Sequence, residues 1–202
     1  MLQTKVNVKM PQGLCKKLRM VGIDCVALEN GQDHQLCLEH VGRMVVSRGA
    51  PAQALAKHLP PGHCLALGSN EVEDQVAEVV AHFNVTVREE DLFSRCVLCN
   101  GDSYCHIDQE TLLAMQEGKV SCEAKSSSMG IEKNLSSGVN EVKLQVERVP
   151  REAVIANDKF WACSKCGKVY WQGRTGEIGG PQGGRDPCGR ARNALNTFPP
   201  FR

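Results

Sequence analysis

Hydrophobic positions over the first ninety residues alternate between two periods. Lys5 to Met10 (KVNVKM) reads as a strand, and Pro11 to Val21 carries Leu14, Leu18 and Val21 at helical spacing. Pro11 suits the first turn of that helix and Gly22 its stop. Ile23 to Leu28 reads as a second strand, Asp33 can cap a helix bearing Leu36, Cys37 and Val41, and Arg43 to Ser47 is a third strand. Pro51 to Leu59 predicts a short helix and His63 to Leu67 a fourth strand. Asn70 to Phe83 predicts a helix striped with Val72, Val76, Val79 and Phe83, and Asn70 with Glu73 has the form of a capping box. Strands separated by crossover helices, with no Asn-Gly-type hairpin between them, argue for a parallel sheet covered on both faces. The expected fold class is α/β, a small doubly wound sheet over residues 1–92.

The pattern changes after Asp91. Tyr104 to Ile107 is a short run beside turn residues. Residues of about 111–141 include Ser126-Ser127-Ser128 and Ser136-Ser137 with few large apolar side chains, and read as a flexible insertion. Order is expected to resume in the alternating run Val142 to Val149 and to continue through Phe160 to Trp171, giving a second domain over 93–173. The Gly-, Pro- and Arg-rich segment 174–202 is expected to be a disordered tail.

Composition narrows the chemistry. With aromatics at 4% of 202 residues, the core must be built mostly from Val, Leu, Ala and Met. Lys plus Arg (24) against Asp plus Glu (23) leaves a net charge of +1, so no global field draws the molecule to nucleic acid or membrane, and phosphate binding must be local. No stretch approaches the ~20 apolar residues of a membrane span, and Met1 to Lys5 lacks the apolar run of a secretory signal. An intracellular location, cytoplasmic or nuclear, is therefore expected.

Eleven cysteines, an odd number, include two Cys-x-x-Cys pairs: Cys96 with Cys99, and Cys163 with Cys166. Each pair is followed by a small residue that relaxes the backbone, and together they supply four thiolates for a tetrahedral Zn2+ site, a zinc ribbon. The 63 residues between the pairs exceed the usual spacing, but a long loop adds slowly to closure entropy. Two unrelated thiol pairs, or a redox dithiol, are the competing readings. A closed four-Cys site has no open position for water, so its zinc is structural. Cys105-His106 could replace one ligand, and the remaining thiols read as small core residues.

Four blocks resemble the Mut-seven C-terminal RNase family: Gly13 to Asp24 (GLCKKLRMVGID), Gly42 to Ser47 (GRMVVS), Phe93 to Asn100 (FSRCVLCN), and Phe160-Trp161 through Tyr170-Trp171-Gly173. The resemblance covers Val6 to Gly173 in order, apart from the insertion. It implies a PIN-like nuclease fold followed by a zinc ribbon, and a chain that corresponds to the C-terminal part of a longer exonuclease of the 3'-5' exoribonuclease kind. PIN-like nucleases gather carboxylates at strand ends to hold Mg2+ or Mn2+, which activates water against a phosphodiester. Here the family's first Asp falls on Val8, and its Thr-x-Asp falls on Ser47-Arg48-Gly49. Asp24, Asp33 and Asp91 match acidic positions and are the catalytic candidates, although Asp33 also reads as a helix N-cap.

The expected carboxyl edge of the sheet carries cations instead. Lys9 closes the first strand and Arg48 the third, where α/β folds bind ligands, and the helix that follows could receive a phosphate at its amides. Lys16, Lys17 and Arg19 on the first helix and Arg95 near the ribbon complete the nucleic-acid-binding candidates; an ordinary solvated face accounts for them equally well. Phe160, Trp161, Tyr170 and Trp171 can stack on unpaired bases or pack a small core.

Three readings follow. The first is a catalytically degenerate RNase-like module that holds single-stranded RNA, in small-RNA processing by resemblance. The second is an active Mg2+- or Mn2+-dependent ribonuclease, and the third a scaffold that docks a small-RNA-handling protein.

Overall fold

A computed structural model describes residues 5–8, 12–28, 42–88, 91–121, 142–172 and 178–179. Lys9, Asp33 with the helix expected after it, residues 122–141 and those beyond 179 lie outside the described residues. The chain divides into two compact units, one up to Asn100 and the other from Gly101.

In the first unit the expected strands form one parallel sheet. β1 (Lys5–Val8), β2 (Asp24–Ala27), β3 (Met44–Ser47) and β4 (Cys64–Ala66) lie in the order β2-β1-β3-β4. The direction of winding therefore reverses between β1 and β3, the doubly wound pattern. Helices α1 (Gln12–Met20), α2 (Gly49–Ala56) and α3 (Val72–His82) supply the cover. Val45 and Val46 point to opposite faces because side chains alternate along a strand, yet both are 0% exposed, so both faces are buried. Val45 packs with Leu55 of α2, and α1 lies against β2 and α3. Leu14, Leu18 and Val21 are buried as the helical spacing requires. Cys15 and Cys25 are buried core residues with their thiols in contact at 2.6 Å, and burial pushes the Cys25 thiol up, so it stays protonated.

The capping box at Asn70 does not form. The N-cap of α3 is Glu71 and no side chain caps it; the amide of Glu71 donates to the Ser69 hydroxyl (3.0 Å), while Arg48 donates to the Asn70 side chain. The Glu78 carboxylate accepts the amides of Gly68 and Ser69, each at 2.9 Å, and so ties the loop before α3 to the helix.

The second unit is an antiparallel sheet, β5 (Tyr104–Asp108), β6 (Lys159–Cys163), β7 (Val169–Gln172) and β8 (Ile178–Gly179), in chain order. Two parts of the sequence reading are corrected here. Residues 109–116 form helix α4 (Gln109–Gln116), so the first part of the expected insertion is regular structure. Asp108 caps that helix, accepting from the Thr111 amide at 2.7 Å, and Leu112 and Met115 are buried. Ile178 and Gly179, at the start of the expected tail, pair with Gln172 and Trp171. The alternating run from Val142 becomes a single bridge at Lys143 and a 3-10 turn (Val146–Arg148), followed by a helix not expected from the sequence, α5 (Arg151–Ala156). Phe160, Ile107, Leu112, Leu144 and Val154 are each at most 1% exposed and form the centre of this unit's core.

Gly22 and Gly167 need to be glycine. Both have positive φ, +82° and +71°, and a Cβ would run into the carbonyl oxygen of Asp91 at the first and of Lys143 at the second. Gly22→Ala is expected to cost roughly 2 kcal/mol or more, read as a lower urea midpoint with an unchanged slope.

Candidate metal centre

Two turns of the same design present the cysteines. Cys96 precedes a turn over residues 97–99, and the amide of Asn100 closes back on the Cys96 carbonyl at 2.8 Å. Cys163 ends β6, and the amide of Gly167 closes on the Cys163 carbonyl, also at 2.8 Å. Both closing residues are left-handed, Asn100 at φ 65° and Gly167 at φ 71°, which suits the two residue types that tolerate that region best. The outcome is a cluster in which the four sulfur atoms of Cys96, Cys99, Cys163 and Cys166 all lie within 4.8 Å of one another. A tetrahedron with metal–sulfur bonds of ~2.3 Å has edges of about 3.8 Å, so the thiols need only small adjustments to close on one ion. Cys96 and Cys163 are buried, and Cys99 and Cys166 are half-buried. Four thiolates are the donor set of a structural zinc site, and the residues fit that ion.

Among the described residues this is the one group of three or more His, Cys, Asp or Glu side chains placed to hold a metal. Cys105 stands apart: it faces the core of the second unit and donates to the Ala162 carbonyl at 3.5 Å, and burial raises its thiol. Cys105-His106 therefore does not substitute for a ligand.

Each turn is held by side chains that donate to its carbonyls. Arg19, on the last turn of α1, reaches the carbonyls of Val97 (3.0 Å) and Leu98 (2.8 Å) and the carbonyl of Cys25 (2.8 Å). Gln145 donates to the Cys166 carbonyl at 2.7 Å, and its amide donates to the Gly167 carbonyl at 2.8 Å. Asn100 is bonded on both ends of its amide: it donates to Asp24 at 2.8 Å and accepts from the Cys25 amide at 3.2 Å.

Asp24 is the centre of this lattice. It opens β2 and thus lies at the amino edge of the sheet, the opposite edge from the one where doubly wound folds bind ligands. One carboxylate oxygen takes Arg43 at 2.7 Å together with Asn100, and the other faces Arg95 at 3.8 Å. Arg95 also donates to the Asn100 carbonyl at 3.1 Å. Burial by itself would raise the Asp24 carboxyl. The bonds from Asn100 and Arg43 and the charges of Arg43 and Arg95 outweigh it and hold the group below its ordinary range.

The candidates read from the sequence thus separate. Asp24 is spent on arginines. Asp91 lies in the turn beside Gly22, where its carboxylate accepts from the Arg88 amide at 3.3 Å and its carbonyl from the Ser94 hydroxyl at 2.7 Å. Gly49 opens α2 and Val8 ends β1. Arg19, half-buried, and Arg95, only 8% exposed, both donate to backbone carbonyls within the first unit. Lys17 pairs with Glu73 at 3.0 Å, Lys16 is exposed, and Arg48 sits at the carboxyl edge bonded to Asn70. Arg43, Asn100 and Gln145 were not singled out from sequence. Asn100 was the one with a signal, since it occupies the place that Gly167 takes after the second pair.

The Mut7-C RNAse domain family matches residues 6–129 and 133–177. The chain is also 28% identical over 207 residues to the human exonuclease mut-7 homolog, covering 81% of this chain and 24% of that protein. It therefore spans about a quarter of that relative's length. No solved structure matches. No described helix is long and apolar enough to cross a membrane.

Two measurements check the centre. Elemental analysis is expected to give one zinc per chain, lowered by Cys163→Ser and unchanged by Cys64→Ser, whose thiol bonds to the Ala52 carbonyl outside the cluster. Because Asp24 is depressed in the folded state, its stabilisation is complete above an unfolded value of ~3.9 and is lost as pH falls through the lower folded value. Asp24→Asn should cost roughly 3 kcal/mol at neutral pH, and the gap to the unaltered protein should narrow below about pH 4. A pH-independent gap would contradict the ion-pair account.

Proposed function

The chain belongs to the Mut7-C RNase domain family, and on that premise we propose that it is a catalytically degenerate RNase-like module that binds single-stranded RNA. The observation that carries this reading is the state of Asp24. A hard divalent cation needs several oxygens free at short range. The Asp24 carboxylate is already bonded by Arg43 and Asn100 and faces Arg95, and the two strand-end acid positions of the PIN-like pattern are Val8 and Gly49. Zinc in the cysteine cluster holds the fold, and cleavage belongs to another domain or protein. RNA would be held by local cations, for which Lys9, Lys16, Lys17 and Arg48 remain the candidates in the first unit. An intracellular site of action and a small-RNA-handling protein partner complete the proposal, in keeping with the exonuclease that the chain resembles in part.

The family's description as an RNase domain favours one second reading, an Mg2+- or Mn2+-dependent ribonuclease in which Asp24, Asp33 and Asp91 act. The two separate in one experiment, incubation of the purified chain with labelled single-stranded RNA at several salt concentrations, with and without Mn2+. The binding module is expected to hold RNA with an affinity that falls steeply with salt, by a log–log slope of about −2 to −3 if three or four phosphates are neutralised. It should leave the RNA intact. Metal-dependent cleavage abolished by Asp33→Asn would establish the second reading, and absence of binding at low salt would sink the first.

A further inference from the structure

The sheet of the second unit has two faces of different character. Phe160, Ala162, Ile107 and Trp171 point into the core that α4 and α5 complete. The residues between them point the other way. Pairing places His106 opposite Trp161 and Trp161 opposite Tyr170, so the three form a row across β5, β6 and β7, with Tyr104 beside it. His106 and Trp161 meet edge to face with ring centres 6.0 Å apart, Tyr104 and Tyr170 at 5.8 Å, and the Lys168 ammonium lies 5.0 Å from the centre of the Tyr170 ring. His106 is exposed, Tyr104 and Trp161 are half-buried, and Tyr170 is buried.

This row is more than the unit's core requires. Trp161 and His106 contribute nothing to the inner cluster, which closes without them. Cross-strand aromatics on a partly exposed sheet face offer flat, rigid surface at little entropic cost, and every base has a π-face to lay against it. Charge on the same face matches a phosphate backbone. Lys159, exposed and two residues from Trp161, lies opposite Asp108, and Lys168 lies over the Tyr170 ring. Both oxygens of Asp108 are occupied in capping α4, on the Thr111 amide and hydroxyl at 2.7 and 2.9 Å.

We propose that this outer face, with Trp161 at its centre, His106 and Tyr104 flanking, and Lys159 and Lys168 at its margin, is a stacking platform for unpaired nucleotides. The proposal rests on the reading of the chain as a single-strand-binding module and names where the bases, as distinct from the phosphates, are held. Stacking is indifferent to base identity, so the platform grips a strand without reading its sequence.

The test uses the whole chain and three strands of about eight nucleotides: single-stranded RNA, single-stranded DNA, and an abasic strand that keeps the phosphates and lacks the bases. Trp161→Ala is expected to weaken RNA binding about tenfold or more at every salt concentration without altering the salt slope. Trp161→Phe, which keeps a ring, should stay within about threefold. Lys159→Gln should instead flatten the slope. The abasic strand should bind the unaltered protein more weakly and be indifferent to Trp161→Ala, and DNA bound as tightly as RNA would place recognition in the bases and phosphates alone. Zinc content reports whether each variant is folded. If Trp161→Ala fails that check, fluorescence decides the matter: of the two tryptophans Trp171 is buried in the core, so quenching by RNA must arise at Trp161 and disappear in Trp161→Phe. RNA binding that persists unchanged in a zinc-replete Trp161→Ala protein, or an abasic strand bound as well as RNA, would overturn the platform and leave the binding module standing. No RNA binding by the unaltered protein at low salt would overturn both.

Discussion

A single buried carboxylate organises the first unit. Asp24 lies at the start of β2, and a charge removed from water there survives only where donors replace the water. Arg43, Arg95 and Asn100 are those donors, drawn from just before β3 and from the segment that carries the first cysteine pair. The same charge therefore anchors a strand edge and presets the turn over residues 97–99. Arg19 completes the arrangement by donating to three backbone carbonyls at once, an arrangement suited to the forked geometry of a guanidinium.

The cysteine cluster follows from this preorganisation. Thiolates repel one another until a cation binds, so a site for zinc must be held open by the surrounding backbone. Each turn achieves this in the same way, with a left-handed residue closing on the first cysteine's carbonyl and side-chain donors on the carbonyls that follow. The choice of Asn at one closing position and Gly at the other is physical. Gly167 has no room for a Cβ against Lys143, whereas Asn100 has room and uses its amide to reach Asp24.

In the second unit the division of labour is between two faces of one small sheet. With few aromatics in the whole chain, the unit commits Phe160 and Trp171 to the core and places Trp161, Tyr104, Tyr170 and His106 on the other side, where Tyr170 is itself buried. The alternation of side chains along β6 and β7 makes this separation unavoidable once the register is set, because neighbours in sequence must point to opposite faces.

Local order was legible in the sequence because it depends on neighbours. The strand at Lys5 to Val8, the helical stripe of Leu14, Leu18 and Val21, and the two Cys-x-x-Cys turns are set within a few residues, and each appears where the pattern places it. Less pronounced local signals were misread. Asp108 capping a helix at Gln109 was hidden next to a serine-rich stretch, and the six-residue α5 is too short for a period to show. The fate of the charged residues could not be read at all. Asp24, Arg19 and Arg95 read from the sequence as a candidate catalytic acid and two candidate RNA-binding cations, and the partners they bond lie up to 79 residues away for Arg19 and 76 for Asp24. Sequence by itself determined the strands and helices described in the first unit and which thiols could share an ion, because backbone propensity and ligand spacing are short-range. Only the tertiary structure decided which charges face water and which are spent inside, because desolvation and ion pairing depend on what folding brings alongside.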